Sequence, residues 1–309
     1  MASRSECTLV TGGAGFTGRR LMERLRHDGH DVVALRKPSE SDDDNRSIAA
    51  DLCDLQGLTD ALTHSAPRAI IHLAAVAAPT HSDVAEIYST NVTGTANLFA
   101  AITAAKLEPD LVIIASSAQV YAIPSDTTAI TEENALRPLS HYAVSKRASE
   151  DIAKLYADRF RIIVTRPFNY TGPGQTETFL VPKIVRHFVE RRGKIRLGNL
   201  DLFRDISDID RAIEAYSRLA TGKIASTVVN ICSGRAIHLS DILTMMADIS
   251  GHELRVETDH ALIRDGEPRY IVGSPVRLES LLGPLPNPEF HQTLTRIYNA
   301  MRESAFIRP

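Results

Sequence analysis

Two residues with complementary chemistry lie four positions apart in the stretch HYAVSKRASEDIAKLY, which covers residues 141–156. On a helix, this spacing places Tyr142 and Lys146 on one face. Ser117 ends an apolar stretch twenty-five residues earlier. A phenol has a pKa near 10, and a neighbouring ammonium lowers that pKa. The three side chains suit hydride transfer at a carbonyl: Tyr142 supplies a proton, Lys146 lowers its pKa and contacts the nicotinamide ribose, and Ser117 orients the carbonyl.

Each of these residues also has an ordinary explanation when it is taken alone. Ser117 could cap the end of a strand, and Tyr142 could be a half-buried aromatic residue of a helix. None of the other seven tyrosines has Lys at the fourth following position. Together with the nucleotide-binding pattern described next, the set predicts a catalytic group.

A glycine-rich segment near the N-terminus predicts a dinucleotide site. In TLVTGGAGFTG, a short apolar run leads directly into Gly12, Gly15 and Gly18, and an amphipathic stretch follows. Glycines at such a strand–helix junction let main-chain N–H groups approach a pyrophosphate at the positive end of the helix dipole. Phe16 and Thr17 lie in the first turn of this helix. A tight turn without a ligand is the alternative.

The residues after the second apolar run predict which dinucleotide is bound. An acidic residue there would accept hydrogen bonds from the ribose 2′-hydroxyl. The sequence ALRKP instead places Arg36 at this point, and a guanidinium suits a 2′-phosphate. NADP(H) is therefore favoured over NAD(H). Asp51 and Leu52, in AADLCD, are predicted to lie at the adenine edge.

The elements that must position these residues alternate between apolar and amphipathic segments. Near-continuous apolar runs are typical of parallel strands that are covered on both faces. With helices between them, they predict an α/β fold with a Rossmann-type doubly wound parallel sheet and a smaller C-terminal α/β substrate-binding region. Strands are predicted at 7–11, 31–36, 69–75, 111–117, 161–167 and 227–233. Helices are predicted at 17–28, 55–65, 84–106, 141–158, 179–192 and 239–251, the last between Ser240 as N-cap and Gly251 as stop.

Composition excludes several classes of function. The chain has 309 residues, a net charge of −3 and 43% hydrophobic residues, as is typical of a globular protein. The charge gives no reason to expect binding to nucleic acid or to an anionic membrane. We find no apolar run near the ~20 residues of a membrane span, and no apolar leader. Three widely spaced cysteines predict reduced thiols in a cytoplasmic protein, and the scattered histidines predict no metal site.

Several motifs together resemble a known family, the extended short-chain dehydrogenase/reductases of the NAD-dependent epimerase/dehydratase type. They are TGGAGFTG, DLCD, IIHLAA, NVTGTANLFAA, SSAQVY, YAVSKRASE and RPFNYTGPGQ. The resemblance spans nearly the whole chain. It implies Ser117, Tyr142 and Lys146 as the catalytic triad and Asn91 as a supporting residue. It also implies further cofactor contacts from the segment Leu73, Ala74 and Ala75.

Within this family the chain is most similar to the GDP-4-keto-6-deoxy-D-mannose reductases. RPFNYTGPGQ, FRDISDIDRAIEAY, NICSG and the spacing from Arg264 through Glu267 to VGS carry this similarity. It implies that Asn169, Arg204 and Arg264 hold the sugar-nucleotide diphosphate. Arginine forks suit such a group, although each arginine alone could form a surface ion pair.

Three departures from this subfamily concern the substrate and the reaction. Tyr170 replaces a histidine that is usual beside the substrate, and the chain lacks a usual C-terminal tryptophan. Gln119 occupies the position where related dehydratases carry an acid, so elimination of water is not expected.

The resulting hypothesis is an NADPH-dependent reductase of a GDP-linked 4-keto-6-deoxy hexose, with GDP-D-rhamnose or its C4 epimer GDP-6-deoxy-D-talose as product. A nucleotide-sugar 4-epimerase that retains NAD and a non-enzymatic NADP-binding protein remain as alternatives. The predicted NADP-binding domain covers residues 1–168, with segments near 200–235 returning to it, and residues 169–309 mainly bind the sugar nucleotide. The resemblance also implies a homodimer through the helices at 84–106 and 141–158.

Overall fold

The computed structural model describes residues 7–40, 46–77, 83–263 and 266–306. The strands in these segments are β1 (Thr8–Thr11), β2 (Val32–Arg36), β3 (Ser47–Ala49), β4 (Ala69–His72), β5 (Leu111–Ala115), β6 (Ile162–Pro167), β7 (Asn169–Thr171), β8 (Lys194–Leu197), β9 (Phe203–Arg204), β10 (Ile206–Asp208), β11 (Thr227–Ile231), β12 (Ile237–His238), β13 (Arg255–Thr258) and β14 (Tyr270–Ile271). The α-helices are α1 (Phe16–His27), α2 (Leu55–Ser65), α3 (Val84–Tyr88), α4 (Gly94–Ala104), α5 (His141–Lys154), α6 (Leu180–Val189), α7 (Ile209–Thr221), α8 (Leu239–Ser250), α9 (Val276–Leu282) and α10 (Phe290–Phe306).

The central sheet has seven parallel strands in the order β3-β2-β1-β4-β5-β6-β11. The chain crosses from β3 at one edge back to β4 beside β1, so the strand order reverses between β1 and β4. In a doubly wound sheet, ligands bind at this reversal, beyond the carboxyl ends of the strands. The predicted Rossmann-type fold is confirmed.

Both faces of this sheet are covered, which explains the near-continuous apolar strand sequences. Neighbouring residues of one strand enter different cores: Val10 packs with residues of α1 and α7, whereas Leu9 packs with residues of α2 and α4. Because side chains alternate along a strand, a strand buried on both faces has no solvent-facing position that would favour a polar residue.

The structure corrects some predicted element boundaries. The helix predicted at 84–106 is α3, a π-helical turn at Ser89–Thr93 and α4. Strand β5 ends at Ala115, so Ser117 lies beyond it. Ser240 is not the N-cap of α8, because this helix begins at Leu239 and Ser240 Oγ contacts His238 Nδ1 at 2.6 Å. Gly251 does end α8, with a left-handed φ of 60°.

The later part of the chain builds a second core beside the large sheet. Helices α6, α8 and α10 pack with β8 around it. Three small sheets, β10-β7, β12-β9-β14 and β13-β8, accompany these helices. Strand β11 lies at the edge of the central sheet, although in sequence it falls between α6 and α8 of this region. The functional division at residues 168 and 169 stays a prediction.

Candidate active site

The glycine segment makes a tight turn that larger side chains would block. Gly12 has a φ of +71°, and a Cβ on it would lie 2.8 Å from the main-chain nitrogen of Ala74. A Cβ on Gly18 would collide with the carbonyl oxygen of Gly12. The first glycine therefore lets β1 exit against the segment after β4, and the last lets α1 begin against the turn.

This turn presents the N-terminus of α1 to the point where the strand order reverses. Gly15 is the N-cap residue and supplies no side-chain cap, and the first turn contains no acidic residue. The positive end of a twelve-residue helix thus lies beside the segment that begins with Leu73 and Ala74. A pyrophosphate fits this arrangement, because exposed main-chain N–H groups and the helix dipole both attract an anion. Phe16 and Thr17 form the first turn.

The residues predicted to select the adenosine half of the cofactor lie beyond β2 and β3. Arg36 ends β2, donates from Nε to Ser47 Oγ at 2.9 Å and from Nη1 to the Glu40 carbonyl at 3.0 Å. Asp51 accepts a hydrogen bond from the Cys53 main-chain N–H at 2.8 Å. Leu52 is buried beneath α4. Because β2 and β1 are neighbours, the guanidinium of Arg36 lies on the same edge of the sheet as the glycine turn.

The structure brings the three predicted catalytic residues together. The hydroxyl of Ser117 lies close enough to the phenol of Tyr142 to lower its pKa, and the Ser117 oxygen accepts the Gln119 main-chain N–H at 3.2 Å. Lys146 is buried one helical turn after Tyr142, and its Nζ donates to the Ala115 carbonyl at 2.6 Å. The ammonium is thereby fixed at the carboxyl end of β5.

The pKa values of these groups differ from the sequence-based expectation. Burial raises the pKa of Tyr142 to about 12, although the hydrogen bond from Ser117 acts in the opposite direction. Burial also lowers the pKa of Lys146 to about 8, against the opposing effect of Glu150. Desolvation therefore outweighs the expected lowering of the Tyr142 pKa by Lys146 in this structure. At neutral pH the phenol is protonated and can act as a proton donor.

A buried ion pair supports α5 beneath Lys146. Glu150 accepts two hydrogen bonds from Arg166, at 2.8 and 2.6 Å, and both side chains are almost completely inaccessible. Ser116 donates to the same carboxylate at 2.6 Å. The ion pair joins α5 to β6, and its carboxylate holds Ser116, the residue before Ser117.

A buried histidine connects the cofactor-binding strand to the helices. His72 Nδ1 lies 2.8 Å from Thr11 Oγ1, and its Nε2 lies 3.1 Å from Thr95 Oγ1. Thr11 Oγ1 also accepts the Ala74 main-chain N–H at 3.2 Å. Burial and the nearby Lys146 charge lower the pKa of His72 to about 3, so the imidazole is neutral.

The same network continues to Tyr142 through Asn91. Its carbonyl accepts the Thr95 hydroxyl at 2.6 Å, and its side-chain nitrogen donates to Ser145 Oγ at 2.9 Å. Ser145 in turn donates to the Tyr142 carbonyl at 2.8 Å. The Asn91 side chain also pairs with both main-chain groups of Val76. Asn91 therefore contacts the helix of Tyr142 and the segment that leaves β4.

The predicted diphosphate residues lie beyond β6. Asn169 is exposed at the start of β7, and its Nδ2 donates to the carbonyl of Asp205 at 3.2 Å. Arg204, the residue before Asp205, is nearly buried and donates to Glu267 at 2.9 Å and to the Phe203 carbonyl at 2.9 Å. The structure thus places Asn169 close to the strand of Arg204. Arg264 lies outside the described residues.

Sequence reasoning did not single out His72, Glu150 or Arg166, although all three lie in motifs that carried the resemblance. The available signal was a polar residue within an otherwise apolar strand or at an inward-facing helix position. Such residues are buried only when hydrogen-bonded or paired.

Two further observations bear on the class of protein. In the described part of the chain, no cluster of three His, Cys, Asp or Glu residues is placed to hold a metal ion. No helix within the described ranges has both the length and the apolar character needed to cross a membrane.

Comparisons with known proteins identify the family of this chain. The model of the NAD dependent epimerase/dehydratase family matches residues 8–232. GDP-6-deoxy-D-talose 4-dehydrogenase of Aggregatibacter actinomycetemcomitans is 32% identical over 89% of this chain and 90% of its own length. GDP-6-deoxy-D-mannose reductase of Pseudomonas aeruginosa is 31% identical over 93% of this chain and 94% of its own length.

Solved structures show the same similarity. RMD from Pseudomonas aeruginosa complexed with NADPH has a TM-score of 0.84 and 29% identity, and the match covers 97% of this chain and 99% of that one. MoeE5 in complex with UDP-glucuronic acid and NAD has a TM-score of 0.85 and 28% identity, over 96% of this chain and 99% of that one. The glycine turn, the fold and these matches establish that the chain belongs to the NAD dependent epimerase/dehydratase family.

Proposed function

We propose that the protein is an NADPH-dependent reductase of GDP-4-keto-6-deoxy-D-mannose, with GDP-D-rhamnose or its C4 epimer GDP-6-deoxy-D-talose as product. It is a nucleotide-sugar oxidoreductase, as its family and its relatives indicate. The observation that carries the proposal is the group of Ser117, Tyr142 and Lys146, assembled beside an anion-binding helix terminus. The two most informative relatives act, by name, on GDP-6-deoxy-hexoses.

The protonation states of the triad favour reduction of a carbonyl. A bound nicotinamide supplies the hydride to the carbonyl carbon. Tyr142, protonated at neutral pH, donates its proton to the oxygen as negative charge develops there. Ser117 holds the same oxygen by a hydrogen bond. Lys146, fixed by the Ala115 carbonyl, stabilises the phenolate that remains after proton transfer.

Elimination of water is not supported as an alternative. Gln119 lies in the turn that follows Ser117, and its side chain is exposed. A carboxamide cannot deliver or remove a proton as a general acid or base at neutral pH. A dehydratase would therefore need another acid at this place.

The preference for NADPH is supported by the residues at the end of β2. Arg36 is fixed near the glycine turn by Ser47, and a guanidinium with a neighbouring hydroxyl can bind a 2′-phosphate. Glu40 in the same turn accepts the Lys37 main-chain N–H at 3.0 Å, which holds the segment after Arg36. Asp51 and Leu52 would then contact the adenine.

The sugar nucleotide is proposed to lie along β7 and β9. Asn169 is exposed there, and Arg204 presents a guanidinium held by Glu267. Together with Arg264, these groups would bind the diphosphate, because arginine forks match the geometry of phosphate oxygens. Glu267 would share Arg204 with the bound diphosphate.

The proposal includes a homodimer that forms through α4 and α5. Val144 and Leu155 are exposed by 39% and 81%, and their spacing places them on the same side of α5 and its extension. Leu139, just before α5, is exposed by 76%. On α4, Ala96 and Ala100 form a half-buried surface of small residues. Such apolar, small-residue faces suit close packing of helices from two subunits.

A cytoplasmic location also belongs to the proposal. Its support is that Cys7, Cys53 and Cys232 form no disulfide.

The decisive experiment supplies GDP-4-keto-6-deoxy-D-mannose by an in-situ dehydratase and follows oxidation of NADPH and, in parallel, NADH. Faster oxidation of NADPH is expected, and proton NMR of the product distinguishes the two C4 epimers. A Tyr142→Phe variant is the control for enzyme-dependent turnover. If neither coenzyme is oxidised and the purified protein carries tightly bound NAD, the 4-epimerase is the better assignment. If NADPH binds without any turnover, a non-enzymatic role is favoured.

A further inference from the structure

Tyr170 is joined to the first turn of the glycine-bounded helix. Its phenolic oxygen lies 2.8 Å from Thr17 Oγ1, and its ring stacks on Phe16 with centroids 6.4 Å apart and an angle of 18°. The guanidinium of Arg20 also lies over the Phe16 ring, at 4.9 Å, and donates to the Pro173 carbonyl. These contacts fasten the segment after Asn169 to α1.

The surroundings fix the orientation of the Tyr170 side chain. Its ring packs against the core formed by α1 and α7, and burial raises the pKa of its phenol, so the hydroxyl stays protonated. Tyr170 also lies near enough to Tyr142 to raise the pKa of that phenol. Tyr170 therefore stands between the helix terminus that suits a pyrophosphate and the proposed proton donor.

We propose that Tyr170 is a positioning residue for the nicotinamide ring, and that its hydrogen bond to Thr17 holds it in place for this purpose. The inference rests on the proposed function only in requiring a nicotinamide cofactor. A cofactor whose pyrophosphate lies at the first turn of α1 must extend its nicotinamide half toward Tyr142 for hydride transfer. The side chain that bridges Thr17 and the vicinity of Tyr142 borders this path.

The chemistry of the side chain suits this role. A flat aromatic ring offers a large, rigid surface to another flat ring and loses little conformational entropy in doing so. The Thr17 hydrogen bond and the Phe16 stack hold Tyr170 before the cofactor arrives, which reduces the cost of ordering it on binding. Removing the hydroxyl releases one end of the ring, whereas removing the ring eliminates the surface.

The test compares two ligands that differ only in the part Tyr170 is proposed to position. Isothermal titration calorimetry measures the Kd of NADPH and of 2′-phospho-ADP-ribose, which lacks the nicotinamide, for the full chain. For Tyr170→Phe and Thr17→Val, the Kd of NADPH should rise about threefold, which corresponds to loss of one modest hydrogen-bond contribution. For Tyr170→Leu, it should rise about tenfold or more. The Kd of 2′-phospho-ADP-ribose should stay within about twofold in the two Tyr170 variants.

Tyr216→Phe is the matched control. Tyr216 is another buried tyrosine, its hydroxyl pairs with Thr165 Oγ1 at 2.9 Å, and it lies in the core of α7. This variant loses the same type of Tyr–Thr hydrogen bond, so its stability should fall while both Kd values stay near those of the wild type. A merely structural role of Tyr170 would make its variants behave like this control or weaken both ligands equally.

Tyr170 variants that behave like Tyr216→Phe, or that weaken both ligands equally, would overturn the inference. If the wild type binds NADH in preference to NADPH, the same comparison is made with NADH and ADP-ribose. In that case the NADPH-dependent function fails while the role of Tyr170 is still decided. If the wild type binds no nicotinamide dinucleotide at all, both proposals are wrong.

Discussion

Replacement of His72 by glutamine tests whether a neutral imidazole is built into the connection between β1 and the helices that carry Thr95 and Tyr142. Thr95 Oγ1 donates its proton to the Asn91 carbonyl, so it accepts from His72 Nε2. Thr11 Oγ1 accepts from the Ala74 main chain and donates to His72 Nδ1. A second proton on the ring would therefore meet the Thr11 proton in a site without water access.

The effect on stability follows from the two pKa values. The pKa of His72 is about 3 in the folded protein and 6.5 in a model histidine. Between these values the unfolded chain binds a proton that the folded protein does not, so stability rises with pH and is lost as the pH falls below 6.5. At pH 5 this single group should reduce the free energy of unfolding by about 2 kcal/mol relative to pH 7.5.

Urea denaturation of wild type and His72→Gln at pH 7.5 and pH 5 measures this quantity. Glutamine keeps a donor and an acceptor but does not titrate. The other ten histidines contribute equally to both proteins, so they cancel in the difference. The wild type should have the larger free energy of unfolding at pH 7.5. The difference in free energy of unfolding between the two proteins should be smaller by about 2 kcal/mol at pH 5. A difference in free energy of unfolding that does not change with pH would refute the assignment of a neutral, strongly desolvated His72.

Three further outcomes are expected. Tyr142→Phe should lower kcat for keto-sugar reduction by at least ~10²-fold, because the proton donor is lost, while the Kd of NADPH from calorimetry stays nearly constant. Arg36→Asp should raise the Kd of NADPH by about tenfold or more and lower that of NADH, since a carboxylate repels the 2′-phosphate and accepts from the 2′-hydroxyl; equal changes for both would contradict the assigned role. Val144→Glu should convert a dimer to a monomer in sedimentation velocity, because it places a charge in the proposed helix interface, whereas a wild-type monomer would show the dimer proposal to be wrong.

The sheet and the placement of Ser117, Tyr142 and Lys146 near one another could be predicted from the sequence, because their signals are local. Apolar runs mark strands covered on both faces, and the i, i+4 spacing of Tyr142 and Lys146 on α5 directly indicates a shared face. The pKa values could not be predicted this way. Whether Lys146 or desolvation controls the phenol of Tyr142 depends on packing from β5 and on the Ala115 carbonyl, which are distant in sequence. The π-helical turn that presents Asn91 likewise depends on contacts with Val76 and Ser145.

The buried pair of Glu150 and Arg166 provides a further test of how the fold controls Lys146. Glu150 raises the pKa of Lys146, opposing the effect of burial. Glu150→Gln removes this contribution and leaves the cation of Arg166 without its carboxylate, so the pKa of Lys146 should fall further below its present value of about 8. Because Lys146 must be charged to stabilise the phenolate, the alkaline limb of kcat/KM should move to lower pH.

Glu279→Gln separates this effect from a general loss of stability. Glu279 pairs with Arg211, a completely buried arginine, at 2.6 Å, so its removal also leaves a buried cation without its carboxylate. This pair joins α7 to α9, on the opposite side of the sheet from α5, and Glu279 is not among the groups that influence the pKa of Lys146. Both variants should be less stable, but only Glu150→Gln should shift the pH profile. An equal shift in both variants would attribute the change to a general loss of stability, and no shift in Glu150→Gln would show that Glu150 does not control the charge of Lys146.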